Sequence, residues 1–305
     1  MGNAGRHIEQ AYNLNEVPYG ARFLPQNQDP TNPGTPLNDN YFRPYQGWGD
    51  ITVNAYRGNS SYHSLQAQAR RRLAHGLSFG FAYTWSKAMD DGINVTTYLP
   101  NRPWNYEESS YDRTHILAAN YSWESPRISR LRVTAIRELF GGWQISGITR
   151  FQSGAPLNMP YLGPANLISG ADLTGGGDGW RPLMVANPVL PKSRRTFDEY
   201  FNPNAFVAPA GGYPYGNAPA TFARGPGIDN WNLAIARIFR FKLGEKGMAC
   251  TIRGEAYNAL NHTQFSGVNV TPKFDQTGAQ VNQAFGQITS ARDPRIMQFM
   301  LRLAF

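Results

Sequence analysis

Catalysis needs side chains that bind, ionise or attack in concert, and this sequence spaces its candidates poorly for that. Its five histidines, His7, His63, His75, His115 and His262, stand far apart and show no metal-ligand spacing. Cys250 is the single cysteine, so no internal disulfide framework is available. Ser153-Gly154 lacks the preceding Gly-x of a nucleophile elbow, and neither a P-loop nor a dinucleotide fingerprint occurs. Asp90-Asp91, and Asp172 with Asp178, could bind calcium from loops, but no EF-hand spacing is present and solvated carboxylates are the plainer reading. No catalytic residue, metal or cofactor is expected, and the chain is not read as an enzyme.

The remaining candidates suit binding and membrane contact. Trp104, Tyr106, Trp180 and Tyr213 lie in loop-like segments, where an aromatic ring can meet a ligand. Arg70, Arg72, Arg240, Arg253, Glu255 and Arg302 fall on the polar side of alternating segments. They read either as a track for an anionic ligand or as charges that pair with one another and with water. Trp85, Tyr121, Trp123, Trp143, Trp231 and Phe305 read as interfacial girdle residues.

These residues are positioned by a repeated period-two pattern. Leu65, Ala67, Ala69 and Leu73 alternate with Gln66, Gln68, Arg70 and Arg72. After Ala74-His75-Gly76, read as a tight turn, Leu77, Phe79, Phe81, Tyr83 and Trp85 alternate with Ser78, Gly80, Ala82, Thr84 and Ser86. The pattern returns in 113–124, 143–151, 231–243, 248–257 and 295–305, with a short turn expected at 244–247. About seven or eight strands result, each near the roughly 9–11 residues of a tilted membrane strand. The expected fold is all-β: an antiparallel up-and-down transmembrane β-barrel, present as part of a larger barrel. Residues 1–60 read as a long loop region with at most one short strand, 50–56, because Asn, Pro and Gly punctuate them. Residues 61–305 carry the barrel strands, with extracellular loops expected at 88–112, 154–228 and 263–293.

Composition agrees with this plan. Aromatic residues make up 13%, and Gly 31 with Pro 22 calls for many turns. Charged residues are 16%, below the roughly 25% of ordinary soluble domains. Mean hydropathy is −0.47, which an alternating membrane strand also produces because its two faces cancel. The net charge of +8 comes from scattered Lys and Arg, with clusters only at Arg70-Arg71-Arg72 and Arg194-Arg195, so no nucleic-acid partner is expected. Met1 to Gly5 has no basic start and no apolar core, so it does not read as a signal peptide, and the chain reads as a fragment.

The chain closes on Phe299, Leu301, Leu303 and Phe305 at alternate positions. That is the signature of a last strand read by the barrel-insertion machinery through edge pairing. Over nearly the whole length the sequence also resembles the C-terminal part of Oar-like TonB-dependent receptors. The resemblance lies in residues 58–66 (GNSSYHSLQ), 81–87 (FAYTWSK), 141–147 (GGWQISG), 152–156 (QSGAP) and 200–206 (YFNPNAF), followed by 253–262 (RGEAYNALNH) and 285–289 (FGQIT). It implies an outer-membrane location, surrounding lipid, and energy-coupled uptake of an unidentified ligand. The inner-membrane energy-coupling complex would act only through a plug, and no plug or coupling box is recognised here. Two alternatives remain open from sequence: a structural or adhesive outer-membrane surface protein without transport, and a soluble β-protein.

Overall fold

Segments that alternate large apolar residues with small or polar ones satisfy their backbone groups by pairing sideways, and this chain does so over most of its length. The computed structural model describes residues 1–91, 105–126, 141–209, 215–243 and 246–305. Its strands are β1 (Gly2–Asn13), β2 (Thr52–Ala74), β3 (Leu77–Asp90), β4 (Glu107–Glu108), β5 (His115–Glu124), β6 (Trp143–Gln152), β7 (Pro156–Asn158), β8 (Leu183–Met184), β9 (Phe206–Val207), β10 (Thr221–Arg224), β11 (Ile228–Leu243), β12 (Lys246–Tyr257), β13 (Phe265–Val268), β14 (Ile288–Ala291) and β15 (Ile296–Ala304). Eight long strands pair antiparallel in the order β1-β2-β3-β5-β6-β11-β12-β15, and β4 adds to the end of β3. The order follows the chain, as in an up-and-down barrel, but among the described residues the sheet is open, with β1 and β15 as its edges. No helix among the described residues is long and apolar enough to cross a membrane.

The register sorts every side chain onto one of two faces. Leu65, Trp85 and His115 lie opposite one another, as do Phe79 and Tyr121, then Trp123 and Ile145, then Ile235, Gly254 and Phe299. Those residues share the apolar face. Gln68 opposite Ala82, Arg70 opposite Gly80 and then Asn120, Arg150 opposite Asn230, and Arg253 opposite Ala236 define the other face, which is polar. Glycines occur where a neighbouring ring needs room: a Cβ on Gly147 would meet the Tyr121 ring at 2.7 Å, and one on Gly254 would meet Phe299 at 3.3 Å.

The N-terminal reading needs correction. Residues 1–60 hold a full strand, β1, and the start of β2, not a loop with one short strand at 50–56. The signal was hidden because β1 is an irregular edge. His7 takes φ 56 and the register shifts on both sides of Ile8, so period two breaks in mid-strand. The described parts of the predicted loops hold further strands: 88–112 contains the end of β3 and β4, 154–228 contains β7 to β10, and 263–293 contains the paired β13 and β14.

Short turns join β2 to β3 and β11 to β12 at one end of the sheet. His75 and Gly76, at φ 54 and 78, make a two-residue turn of the type that matches strand twist. Leu243 pairs with Lys246, and the short turn between them, at 244–245, lies outside the described residues. At the opposite end, the segments after β1, β3, β6 and β12 are long. The buried hydrophobic core lies among them, not on the sheet. One cluster joins Met159, Tyr200, Phe201, Phe206, Phe222, Phe285 and Ile288, and a second joins Leu162, Leu167, Trp180 and Phe274.

Candidate functional site at the polar face and the outer loops

Five of the residues assigned to the lumen can be placed by pairing. Arg253 faces Met300 and Ala236, Glu255 faces Gln298 and Ala234, Arg302 faces Thr251, Arg240 faces Ala249, and Arg70 faces Gly80. All five occupy the polar face. Arg72 sits inside the register irregularity between Arg71 and Ala74, so pairing does not assign it a face. Neighbouring charges on this face satisfy each other: the Arg253 Nε donates to Glu255 at 2.6 Å, and the Tyr257 hydroxyl donates to the same carboxylate at 3.1 Å.

The apolar face ends in aromatic rows. At the loop end, Phe151 and Trp231 meet edge to face at 5.7 Å, and Trp85 lies opposite His115. At the turn end stand Trp123, Trp143 and Phe241. From His115 to Trp123 the strand rises about 27 Å at roughly 3.4 Å per residue, which spans a hydrocarbon layer of about 25 Å with some tilt. One residue on this face was not anticipated. Arg237 points to the apolar side, yet is 4% exposed, its guanidinium 4.5 Å from the Phe239 ring centre and 5.5 Å from that of Trp143. The membrane-insertion candidates Phe299, Leu301, Leu303 and Phe305 lie at alternate positions along the last strand and just beyond it, and all four are exposed.

The ligand-contact candidates fare differently. Trp104 and Tyr213 lie outside the described residues. Tyr106 is exposed, with its hydroxyl 2.7 Å from Ser61 Oγ. Trp180 is 1% exposed and packs 6.0 Å from Phe274, so it belongs to the loop core and cannot meet a ligand there. Loop composition masked this, because a Trp that follows a glycine-rich run reads as exposed until its partners, Leu162 and Phe274, are folded over it.

The outer loops are joined by polar seams that sequence reading missed. On one side, Arg22 bonds Asp39, Asp172 at 2.7 Å and the Gly176 carbonyl at 2.6 Å. Arg22 holds the Asp39 carboxyl below its usual range. Burial works against ionisation of Asp172, but the Arg22 bond and the amides of Gly175 and Thr174 outweigh it, so this carboxyl is also lowered. Gly175-Gly176-Gly177, which composition reads as flexible, is the closest part of this seam. Added Cβ atoms would come within 2.6 Å of Phe23, 3.1 Å of Pro18 O and 2.5 Å of Glu16. Asn15, fully buried, donates to the carbonyls of Tyr45, Trp48 and Gly49 and so closes the remainder of the same loop.

On the other side, Arg224 bridges Glu108 and Asp112, each at 2.6 Å, and Lys87 joins Glu108. Arg181, 1% exposed, bonds the Tyr161 hydroxyl at 2.9 Å and Asn105 at 3.3 Å. The loop carboxylates weighed for calcium serve as structural acceptors instead: Asp91 Oδ1 takes bonds from Asn59 N and Gln10 Nε2, and Asp172 takes Arg22. Among the described residues no group of three or more His, Cys, Asp or Glu is arranged to hold a metal.

Residues 1–298 match the family described as "Outer membrane beta barrel domain". No curated protein and no solved structure matches the chain. An exposed apolar face with aromatic ends, a polar opposite face and long packed loops at one end are what such a domain requires of its sequence. The chain belongs to the outer membrane β-barrel domain family, and its place is the outer membrane of a Gram-negative bacterium.

Proposed function

We propose that this chain supplies wall strands and the outer loop cap of a TonB-dependent, Oar-like transporter that takes up an unidentified ligand. The observation that carries the reading is the open sheet of eight long strands, whose edges β1 and β15 pair with no further strand among the described residues. Edge amides have no partner in hydrocarbon, so an open sheet in lipid calls for further strands to pair with β1 and β15. The sheet is then an arc of a larger barrel. A barrel of that size has a lumen wide enough to need occlusion, and energy from the inner membrane would reach it through a plug outside these 305 residues. The similarity in segments such as 200–206 and 253–262 supports the same family of transporters. In this reading the lumen arginines guide the ligand, and the last strand, ending on Phe305, is what the insertion machinery pairs with.

The test is fractionation of the native host and blotting with an antibody against residues 154–228. A band well above 34.0 kDa in the outer membrane is expected. A band at the mass of this chain alone, in the outer membrane, would favour a surface protein without transport. A band at that mass in the soluble fraction would contradict membrane insertion.

A further inference from the structure

The seam between residues 14–23 and 172–180 brings two carboxyl groups together beside the Arg22 network, those of Glu16 and Asp178. Three backbone bonds close this seam: Gly20 N to Thr174 O at 2.8 Å, Arg22 N to Gly175 O at 2.8 Å, and Gly177 N to Val17 O at 3.0 Å. Tyr19 packs at a tilt against Tyr215 across it, ring centres 5.2 Å apart. Within the seam the Glu16 side chain lies against Gly177, close enough that a Cβ there would touch it, which brings its carboxyl beside that of the next residue, Asp178. Two carboxyl groups can share a hydrogen bond only while one of them carries the proton. The Tyr215 hydroxyl donates to the second Asp178 oxygen at 3.2 Å, which favours Asp178 as the ionised partner and Glu16 as the acid. The other charged groups facing Glu16 are Asp50, which also disfavours its ionisation, and Arg43, which opposes that effect but is itself engaged by Asp50 and the Asn15 carbonyl.

We propose that Glu16 and Asp178 form a proton-held latch between the first outer loop and the large 154–228 loop, clasped in acid and released in alkali. Burial, then the charge and hydrogen bond of Asp178, push Glu16 up from its ordinary 4.5 to about 7. A raised carboxyl favours the clasped state fully below its ordinary value, and that advantage is lost as pH rises through about 7. Above that, the Glu16, Asp178 and Asp50 carboxylates face one another, and Arg43 is the cation that offsets them at Glu16. The Arg22 pairs have the opposite dependence. Their carboxyls are lowered, so they persist at neutral pH and weaken only in acid, which keeps the loops tethered when the latch opens.

The latch can be read as a distance. Spin labels at exposed Leu14 and Pro219, on the Glu16 and Tyr215 side of the seam and away from the Arg22 tether, in the full protein in outer-membrane vesicles with Cys250→Ala, should give one narrow distance at pH 5. A broadened, longer distribution should replace it by pH 8.5, with a midpoint near 7. Glu16→Gln should hold the narrow distance throughout, and Asp178→Asn should do the same if Glu16→Gln fails to insert. An unchanged distance from pH 5 to 8.5 in the unsubstituted protein would overturn the proposal, as would an unshifted transition in both variants. Glu107, on the far seam beside Arg181, is also pushed up to about 7, chiefly by burial. A transition that vanished in Glu107→Gln but persisted in Glu16→Gln would likewise refute the assignment. None of these outcomes depends on whether the protein transports a ligand.

Discussion

The sheet and the loop cap solve the burial problem in opposite ways. In the sheet the large apolar residues are exposed: Phe299 is 75% and Leu301 67% accessible. In the cap Phe201 is 1% and Phe206 0% accessible, and five ring pairs among Phe201, Phe206, Phe222 and Phe285 meet edge to face at 5.0 to 6.2 Å. The sheet therefore relies on lipid to cover it, and the cap carries its own water-excluding core. Long extracellular loops therefore need not be flexible ligand fingers. Here they form a packed body that the strands hold above the membrane.

Substitutions can separate the two regions. The largest effect should come from Phe201→Ala in the cap, which removes the hub of the Phe cluster and should cost about 3–5 kcal/mol of local stability. Proteolysis on intact cells should then cut within 154–228 while the barrel stays in the outer membrane. Loss of the barrel as well would mean that the regions are not separable. Leu301→Arg, on the exposed apolar face, should cost about 2–4 kcal/mol near the bilayer centre and lower the amount of protein in the membrane fraction. Gln298→Arg, on the polar face, should leave insertion unchanged in the same blot. Gly154→Ala is next. A Cβ there would lie 1.8 Å from the Gly225 carbonyl, and the strain of about 1–3 kcal/mol should appear as a lower melting temperature of the cap.

The smallest effect should come from Arg22→Gln. The pair is partly exposed, so about 1 kcal/mol is expected. Because the Asp39 and Asp172 carboxyls are lowered in the folded protein, Arg22 stabilises above their ordinary range, and its contribution fades as pH falls through their lowered values. The variant and the unsubstituted protein should therefore differ in cap melting at pH 7 and converge in strong acid. A difference that grew in acid would contradict the pairing.

Much of the sheet is legible in the sequence because alternation needs only local information. Leu77 to Trp85 states both its strand and its face, and the register then confirms which residues stand opposite. The cap is not legible in this way. Its contacts join residues far apart in the chain, so Arg22 carries no local sign that it will meet Asp172, nor Trp180 that it will be enclosed by Phe274. Glycine misleads for the same reason. A run such as 175–177 has the composition of a flexible linker, and only its neighbours reveal that close approach is what requires it. Edge strand β1 was hidden by its bulge, and Arg237 by the apolar company that shields it. The family-like segments were informative without being interpretable: 200–206 and 285–289 prove to be cap core, and 253–262 is a strand followed by a turn in which Asn258 and Asn261 take positive φ.

The exposed apolar face of the sheet meets lipid and the opposite face does not. The most direct test is a scan of single spin labels from Gln298 to Leu303 in outer-membrane vesicles, comparing collision with oxygen and with a water-soluble nickel complex. Positions 299, 301 and 303 should favour oxygen, and 298, 300 and 302 should favour nickel, with strict alternation. Uniform exposure to nickel along the strand, or the reverse alternation, would contradict the account.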